Sequence, residues 1–176
     1  SGRESTFFGD GIVAHVGFAE PFCPYMAEVL HQGAERMGAR VHPRGIYVVI
    51  EGPQFSTKAE SHLYRSWGAD VIGMTALPEA KLAREAEICY SILACSTDYD
   101  CWHESEVPVT VEMVVANLNK NAALSKAILG DVIPGIPEER GCPCGSALEN
   151  TIITAREVIP PEARGRLALL VVKYLT

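Results

Sequence analysis

The stretch "GIYVVIEGPQFSTKAE", Gly45 to Glu60, decides the fold class. It opens with a β-branched apolar run that ends at Gly52-Pro53, which is typical of a buried strand followed by a turn. Thr57 and Glu60 then stand three residues apart in the pattern of a capping box, which predicts a helix that continues to Gly68. The order strand, loop, helix is the building unit of an α/β protein.

The same unit recurs along the chain. The predicted elements are a helix from Pro24 to Gly38, a strand at "ADVIGMT" (69–75), a helix opened by Pro78 that runs through Cys89, a strand at "YSILACSTD" (90–98), a long helix capped by Thr110, and closing helical structure at "PPEARGRLALLVVKYL" (160–175). Continuous apolar strands that alternate with helices predict a mainly parallel sheet covered on both faces.

Composition and charge narrow the class of function. The chain has 176 residues, of which 48% are hydrophobic, and this is enough for one globular domain. Its 15 basic and 22 acidic residues give a net charge of −7, and the basic residues are scattered, so we expect no nucleic-acid partner. We also expect no membrane span and no secretory signal, and therefore a cytoplasmic protein that acts on a small molecule.

Unusual residues follow three predicted strands, at Glu51–Ser56, Gly73–Thr75 and Thr97–Asp100. The carboxyl ends of strands in an open α/β sheet are where ligands bind. On an extended backbone, Asp98 and Asp100 would point to the same side, and their proximity would raise the pKa of one of them. The pair could then accept from an exocyclic amine and donate to a ring nitrogen. The alternative is a strand that bends into a turn, where the aspartates bond nearby backbone amides.

Three further candidates each have a structural alternative. Phe55 could stack on a planar ligand or plug the core. Thr75 could present a hydroxyl group to an anion or cap a helix. His15 lies in an apolar stretch, where a single histidine is usually a core residue with satisfied hydrogen bonds.

The six cysteines divide into two groups. Those at positions 23, 89, 95 and 101 are dispersed, and we interpret most of them as small apolar side chains. Cys142-Pro143-Cys144 stands in a Gly/Pro loop and could bind metal or take part in disulfides. Because no second cysteine or histidine pair has zinc-finger spacing, we expect a surface loop with redox potential and no metal site.

Several long motifs together resemble one enzyme family. They are "EGPQFSTKAES", "WGADVIGMTALPEAKLAREAEICY", "TDYDCWH" and "VTVEMVVANL", and the resemblance extends from Phe7 to about Leu129. In this order they resemble the 5′-methylthioadenosine phosphorylases of the purine nucleoside phosphorylase family. The resemblance implies that family's three-layer α/β sandwich with a mainly parallel or mixed central sheet.

The resemblance also implies an activity and a set of site residues. The implied reaction is phosphorolysis of 5′-methylthioadenosine to adenine and 5-methylthioribose 1-phosphate, with phosphate as co-substrate and no metal or organic cofactor. The implied site comprises Asp98 at the purine N7 edge, Asp100 at the 6-amino group, Phe55 beside the base, Gly73 and Met74 at the ribose, Thr75 at the phosphate, Val111, Val114 and Val115 at the 5′ group, and His15, which reaches the neighbouring subunit's site in a homotrimer.

Two positions of the resemblance concern specificity. Relatives that use 6-oxopurines carry glutamate at the position of Ser56 and asparagine at that of Asp98, so this chain is expected to prefer adenine. The same relatives place a histidine at the position of Val111 for the ribose 5′-hydroxyl. The valine wall of this chain suits a thioether instead.

The resemblance begins well inside the family's domain. The Gly-rich phosphate loop and an Arg-His pair of the family have no counterpart in residues 1–176, so we expect one incomplete nucleoside phosphorylase domain that is inactive alone. Two other functions remain open. One is a purine nucleoside phosphorylase of broader specificity, and the other is a non-catalytic module that binds nucleosides or supports assembly.

Overall fold

The structure is a computed structural model that describes residues 2–103 and 110–175. Its helices and strands are α1 (Pro24–Arg36), β1 (Tyr47–Val49), α2 (Lys58–Ser66), β2 (Val71–Gly73), α3 (Ala76–Glu85), α4 (Val111–Val132), α5 (Pro161–Arg166) and α6 (Ala168–Leu175). Short 3₁₀ turns lie at Ile133–Gly135, Pro143–Ser146 and Arg156–Val158. Among the described residues, no helix is both long and apolar enough to cross a membrane.

The chain forms two compact units. Unit I comprises Ser1–Met26, Ala76–Ser91 and Glu138–Thr176, and unit II comprises Ala27–Thr75 and Ile92–Pro137. Each unit buries its own apolar cluster. In unit I the cluster is Ile12, Ile159, Ala163, Leu167 and Val171, and in unit II it is Ala34, Ile128 and Val132.

The strand–helix–strand unit predicted from Gly45 onward is confirmed. Strands β1 and β2 pair in parallel, with Tyr47 opposite Val71, and α2 connects them. The capping box is also confirmed, because the Thr57 side chain accepts from the Glu60 N–H while the Glu60 carboxylate accepts from the Thr57 N–H at 2.7 Å. Local hydrogen bonds therefore set the start of α2.

The predicted third strand, "YSILACSTD" (90–98), is wrong as secondary structure. The segment forms no ladder of backbone hydrogen bonds, and within the described residues the sheet consists of β1 and β2. Carbonyls at its end bond to side chains of α4 instead. Asn117 Nδ2 donates to Thr97 O and Asn121 Nδ2 donates to Ser96 O, both at 2.8 Å. These bonds tie the segment that precedes Asp98 to α4.

Helix α3 and the closing helix differ from the sequence-based expectation. Helix α3 begins at Ala76 rather than at Pro78, and it ends at Glu85 rather than Cys89 because Glu87 adopts a left-handed conformation with φ of 56°. The closing helix is divided into α5 and α6 at Leu167. The Thr110 cap is confirmed, since its hydroxyl accepts from the Met113 N–H at 3.3 Å and α4 starts at Val111.

Candidate functional site

The segments that follow β1 and β2 meet in unit II. A Cβ at Gly52 would lie 2.7 Å from Met74 Sδ, so the thioether of Met74 rests directly on the Gly52 backbone. A Cβ at Gly73 would lie 2.0 Å from the Tyr47 hydroxyl oxygen, so only glycine leaves room for that tyrosine. The Ile50 N–H donates to Gly73 O at 2.9 Å and continues the pairing beyond the strands. The ends of β1 and β2 are therefore in direct contact.

Asp100 is anchored to the loop that follows β1. Ser56 Oγ lies 3.3 Å from each Asp100 carboxylate oxygen, and the Cys101 N–H donates to Oδ1 at 2.8 Å. The buried Ser61 hydroxyl also favours the ionised form, although it stays outside strict hydrogen-bond geometry. Cys101 adds a thiol contact to Ser56 O at 3.6 Å.

The electrostatics of Asp100 differ from the expectation for a carboxylate pair. Partial burial raises the pKa of Asp100, but the nearby Ser61 hydroxyl and the hydrogen bonds from the Cys101 N–H and Ser56 outweigh this effect and leave the pKa below its usual value. Asp100 is therefore not a carboxyl group whose pKa is raised by a neighbouring carboxylate. This side chain is an anion that accepts hydrogen bonds.

Asp98 lies on a bend rather than on a regular strand. Its Oδ2 accepts from the Thr97 hydroxyl at 2.8 Å, and its side chain is exposed. The extended geometry that would align Asp98 with Asp100 is absent at this bend. The sequence-based alternative, a turn whose aspartates bond nearby groups, describes this segment better.

Aromatic side chains hold the residues that follow Asp100. The Arg65 guanidinium of α2 lies 3.6 Å from the centre of the Trp102 ring, a distance at which the cation attracts the ring face. The Tyr99 and His103 rings stack with centroids 4.5 Å apart. The segment is therefore fixed to α2 on one side and, through Asp100, to Ser56 on the other.

Four other expected site residues of unit II are exposed, namely Phe55, Thr75, Val111 and Val115. Phe55 is 83% exposed, which contradicts its alternative as a core plug, and Val111 in the first turn of α4 is 74% exposed. Val115 is exposed and Val114 is half-buried. Thr75 is exposed and directly precedes α3, and its side chain forms none of the described helix caps.

His15 belongs to unit I, where its backbone N–H donates to Thr151 O at 2.9 Å. Its side chain is exposed, so the alternative of a core histidine is wrong. His15 belongs to a different unit from Asp98 and Asp100, and its contribution to a neighbouring subunit's site stays a prediction.

A second group of reactive side chains lies in unit I. Cys23, Cys89, Cys142 and Cys144 are free thiols whose Sγ atoms all lie within 4.8 Å of one another. Cys144 is 3% exposed, so the Cys-x-Cys loop is not simply a surface loop. Burial raises the pKa of Cys89 to about 12 and that of Cys144 to about 11. Cys23 is 1% exposed, which agrees with its interpretation as a small buried side chain, but Cys23 and Cys89 lie beside the Cys-x-Cys loop rather than apart from it.

Sequence reasoning missed three contributors to these two groups. Ser61 and Cys101 support Asp100, and their only signal was proximity to Ser56 and Asp100 in the chain. The hydrogen bond from Asn117 to Thr97 O was not predicted, because polar residues on a long helix usually face solvent. In the cysteine group, the Cys142-Pro143-Cys144 pair was visible in the sequence, but no spacing connected it with Cys23 or Cys89.

The family model of the phosphorylase superfamily matches residues 1–134. The S-methyl-5′-thioadenosine phosphorylase of Geobacter sulfurreducens is 51% identical over 98% of this chain and 60% of its own length, and that of Koribacter versatilis is 54% identical over 98% and 59%. The chain thus spans about 60% of the length of these relatives.

Solved structures are similar in fold. A methylthioadenosine phosphorylase from an Antarctic soil metagenomic library superposes with a TM-score of 0.89 at 45% identity, over 97% of this chain and 61% of that one. A methylthioadenosine phosphorylase from Schistosoma mansoni in complex with adenine superposes with a TM-score of 0.71 at 30% identity, over 98% and 61%.

Proposed function

Because the chain belongs to the phosphorylase superfamily, we propose that the protein it represents cleaves 5′-methylthioadenosine with phosphate. The products are adenine and 5-methylthioribose 1-phosphate. A phosphate oxygen bonds to the anomeric carbon, the bond from that carbon to purine N9 breaks, and the electron pair moves into the purine. A proton then adds at N7. The protein contributes positioning and stabilisation of the charge that develops on the base.

The anchoring of Asp100 is the observation that carries this proposal. Its carboxylate is held by Ser56 and by the Cys101 N–H, and its lowered pKa keeps it an acceptor. An acceptor matches the 6-amino group of adenine, whereas a 6-oxopurine would set oxygen against oxygen. An unpaired buried polar group disfavours the wrong base strongly.

Asp98 supplies the complementary chemistry in this proposal. Its carboxyl group follows Thr97, whose hydroxyl donates to Oδ2 and orients it. In our mechanism Asp98 provides the proton or the hydrogen bond at N7 as the leaving group gains charge. Phe55 lies beside the base, Gly73 and Met74 face the ribose, and Thr75 contacts the phosphate.

We further propose a cytoplasmic homotrimer in which His15 completes the site of a neighbouring subunit. The exposure of His15, with its backbone fixed to Thr151, supports this role. No metal or organic cofactor takes part in the proposed reaction.

The test is an assay of the complete gene product for release of free base from methylthioadenosine, adenosine, inosine and guanosine, with and without phosphate. We expect methylthioadenosine to give the highest kcat/KM, and release to require phosphate. Preference for inosine or guanosine, or folded protein that binds nucleosides without cleaving them, would overturn the proposal.

We predict that Asp100→Asn lowers the preference for adenosine over inosine about tenfold, because an amide can donate to a 6-oxygen. The ratio of the two kcat/KM values measures this. Since the pKa of Asp100 is below its ordinary value, the wild-type preference should be flat from about pH 5 to 8, above the range in which an aspartate protonates. A ratio unchanged by the substitution would remove Asp100 from base recognition.

We predict that Val111→His shifts preference from methylthioadenosine towards adenosine about tenfold. The imidazole offers a partner to the 5′-hydroxyl and fills space that the methylthio group needs. Leu118→His, another exposed position on α4, is the matched control and should leave the ratio of kcat/KM values unchanged. Equal ratios in both variants would mean that Val111 lies outside the 5′ pocket.

A further inference from the structure

Unit I carries four cysteines that no step of the proposed reaction uses. They come from three distant segments of the chain, namely Cys23 at the start of α1, Cys89 after α3, and Cys142 with Cys144 around a 3₁₀ turn. Each Sγ lies within 4.8 Å of the other three, and the Sγ atoms of Cys89 and Cys142 are 3.3 Å apart.

We propose that these four thiolates bind one Zn²⁺ ion in a closed structural site. Zinc–sulfur bonds of about 2.3 Å in a tetrahedron place the sulfur atoms ~3.8 Å apart, so the sulfur–sulfur distances of the observed cluster need to change by about 1 Å or less. Two separate disulfides would require only that the two sulfur atoms of each bonded pair lie close together. Mutual proximity of all four sulfur atoms is instead what a tetrahedral ion requires.

The surroundings of Cys23 suit a thiolate bound to a cation. The Met26 N–H donates to Cys23 Sγ at 3.4 Å, so this sulfur occupies the N-cap position of α1. Four thiolates around Zn²⁺ carry a net charge of −2, and backbone N–H donors at a helix start offset part of that charge. The Cys23 N–H in turn donates to Tyr90 O at 2.7 Å, which fixes Cys23 beside the segment that bears Cys89.

The loop that bears Cys142 and Cys144 is braced to the Cys89 segment by residues outside the cluster. Arg140 Nη1 donates to Glu87 O at 2.5 Å, and the Leu148 N–H donates to the Glu87 carboxylate at 2.9 Å. Lys173 and the Tyr174 hydroxyl also contact this carboxylate. Glu87 therefore holds the cysteine segments in register from both sides, as supporting residues of metal sites do.

The proposed role is structural, because four protein ligands leave no open position on the ion for substrate. Zinc binding displaces the thiol protons, so the affinity for zinc should decrease as the pH is lowered. The metal would join three segments of unit I and raise the free energy of unfolding without entering the chemistry. The proposal is independent of the proposed function, since it concerns metal content and stability.

The experiment measures zinc in the complete protein, expressed with zinc supplementation and purified under a metal-free reductant. We expect about one Zn²⁺ per chain by elemental analysis in the wild type and in Cys95→Ser, a matched control at an exposed cysteine of unit II. Cys144→Ser and Cys89→Ser should each retain less than a tenth of that amount. Removing zinc by chelation should lower Tm by ~5–10 °C while kcat at a permissive temperature stays within twofold.

Two measurements on the wild type keep the proposal testable if the cysteine variants fail to fold. Titration of the metal-free protein with Co²⁺ should produce the visible absorption of a tetrahedral thiolate site at one equivalent. Zinc should also protect four thiols from alkylation, and chelation should expose them. The proposal is overturned if the wild type with reduced thiols contains less than a tenth of an equivalent of zinc. Disulfides among these four cysteines in protein kept under reductant would also overturn it. So would equal zinc contents in Cys95→Ser and Cys144→Ser.

Discussion

Asp98→Asn in the complete protein is expected to lower kcat for phosphorolysis of methylthioadenosine about 100-fold, with a smaller change in KM. The asparagine amide can donate a hydrogen bond to N7 but cannot transfer a proton to it, and loss of general-acid catalysis costs on the order of 100-fold. The effect should fall on kcat because the interaction strengthens only as the purine departs. Steady-state and single-turnover kinetics measure it.

Asp10→Asn is the control for this substitution. Asp10 is a largely exposed aspartate of unit I whose carboxylate lies 3.2 Å from Arg166, so the same chemical change is made outside the candidate site. We expect its kcat to match the wild type. If Asp98→Asn keeps a kcat within threefold of the wild type while its Tm is unchanged, Asp98 has no role in the departure of the base.

Gly33→Ala is expected to destabilise the protein by about 3 kcal/mol, although alanine is the better helix former. Gly33 is buried in α1, and a Cβ there would lie 2.3 Å from Val132 Cγ2 of α4. Val132 is itself 3% exposed, so neither side chain can move into solvent. Denaturant unfolding measures the loss, and the double variant Gly33→Ala with Val132→Ala should be more stable than additivity predicts.

Gly130→Ala provides the matched control, because a Cβ at this position on α4 meets nothing within 4 Å. The substitution should raise the free energy of unfolding by up to about 1 kcal/mol. If Gly33→Ala proves as harmless as Gly130→Ala, the close packing of α1 on α4 is wrong.

The local elements of this protein were determined by the sequence alone. The Thr57–Glu60 capping box, the Thr110 cap and the start of α1 at Pro24 depend on contacts within about one helical turn. Such contacts form wherever the residues stand in the right order, so pattern and propensity suffice. The parallel pairing of β1 with β2 follows similarly, since a strand–helix–strand unit leaves few alternatives.

Only the tertiary structure decided the features that depend on distant contacts. The pKa of Asp100 is lowered in part because Ser56, 44 residues earlier in the chain, lies against its carboxylate. The segment predicted as a third strand is held to α4 by the Asn117 amide and not by backbone hydrogen bonds to a neighbouring strand. The cysteine cluster joins Cys23 to Cys144 with no spacing signal between them. These features depend on which distant segments come into contact when the chain packs. Hydrogen bonds and burial between such segments are determined by the whole fold and cannot be inferred from a short stretch of residues.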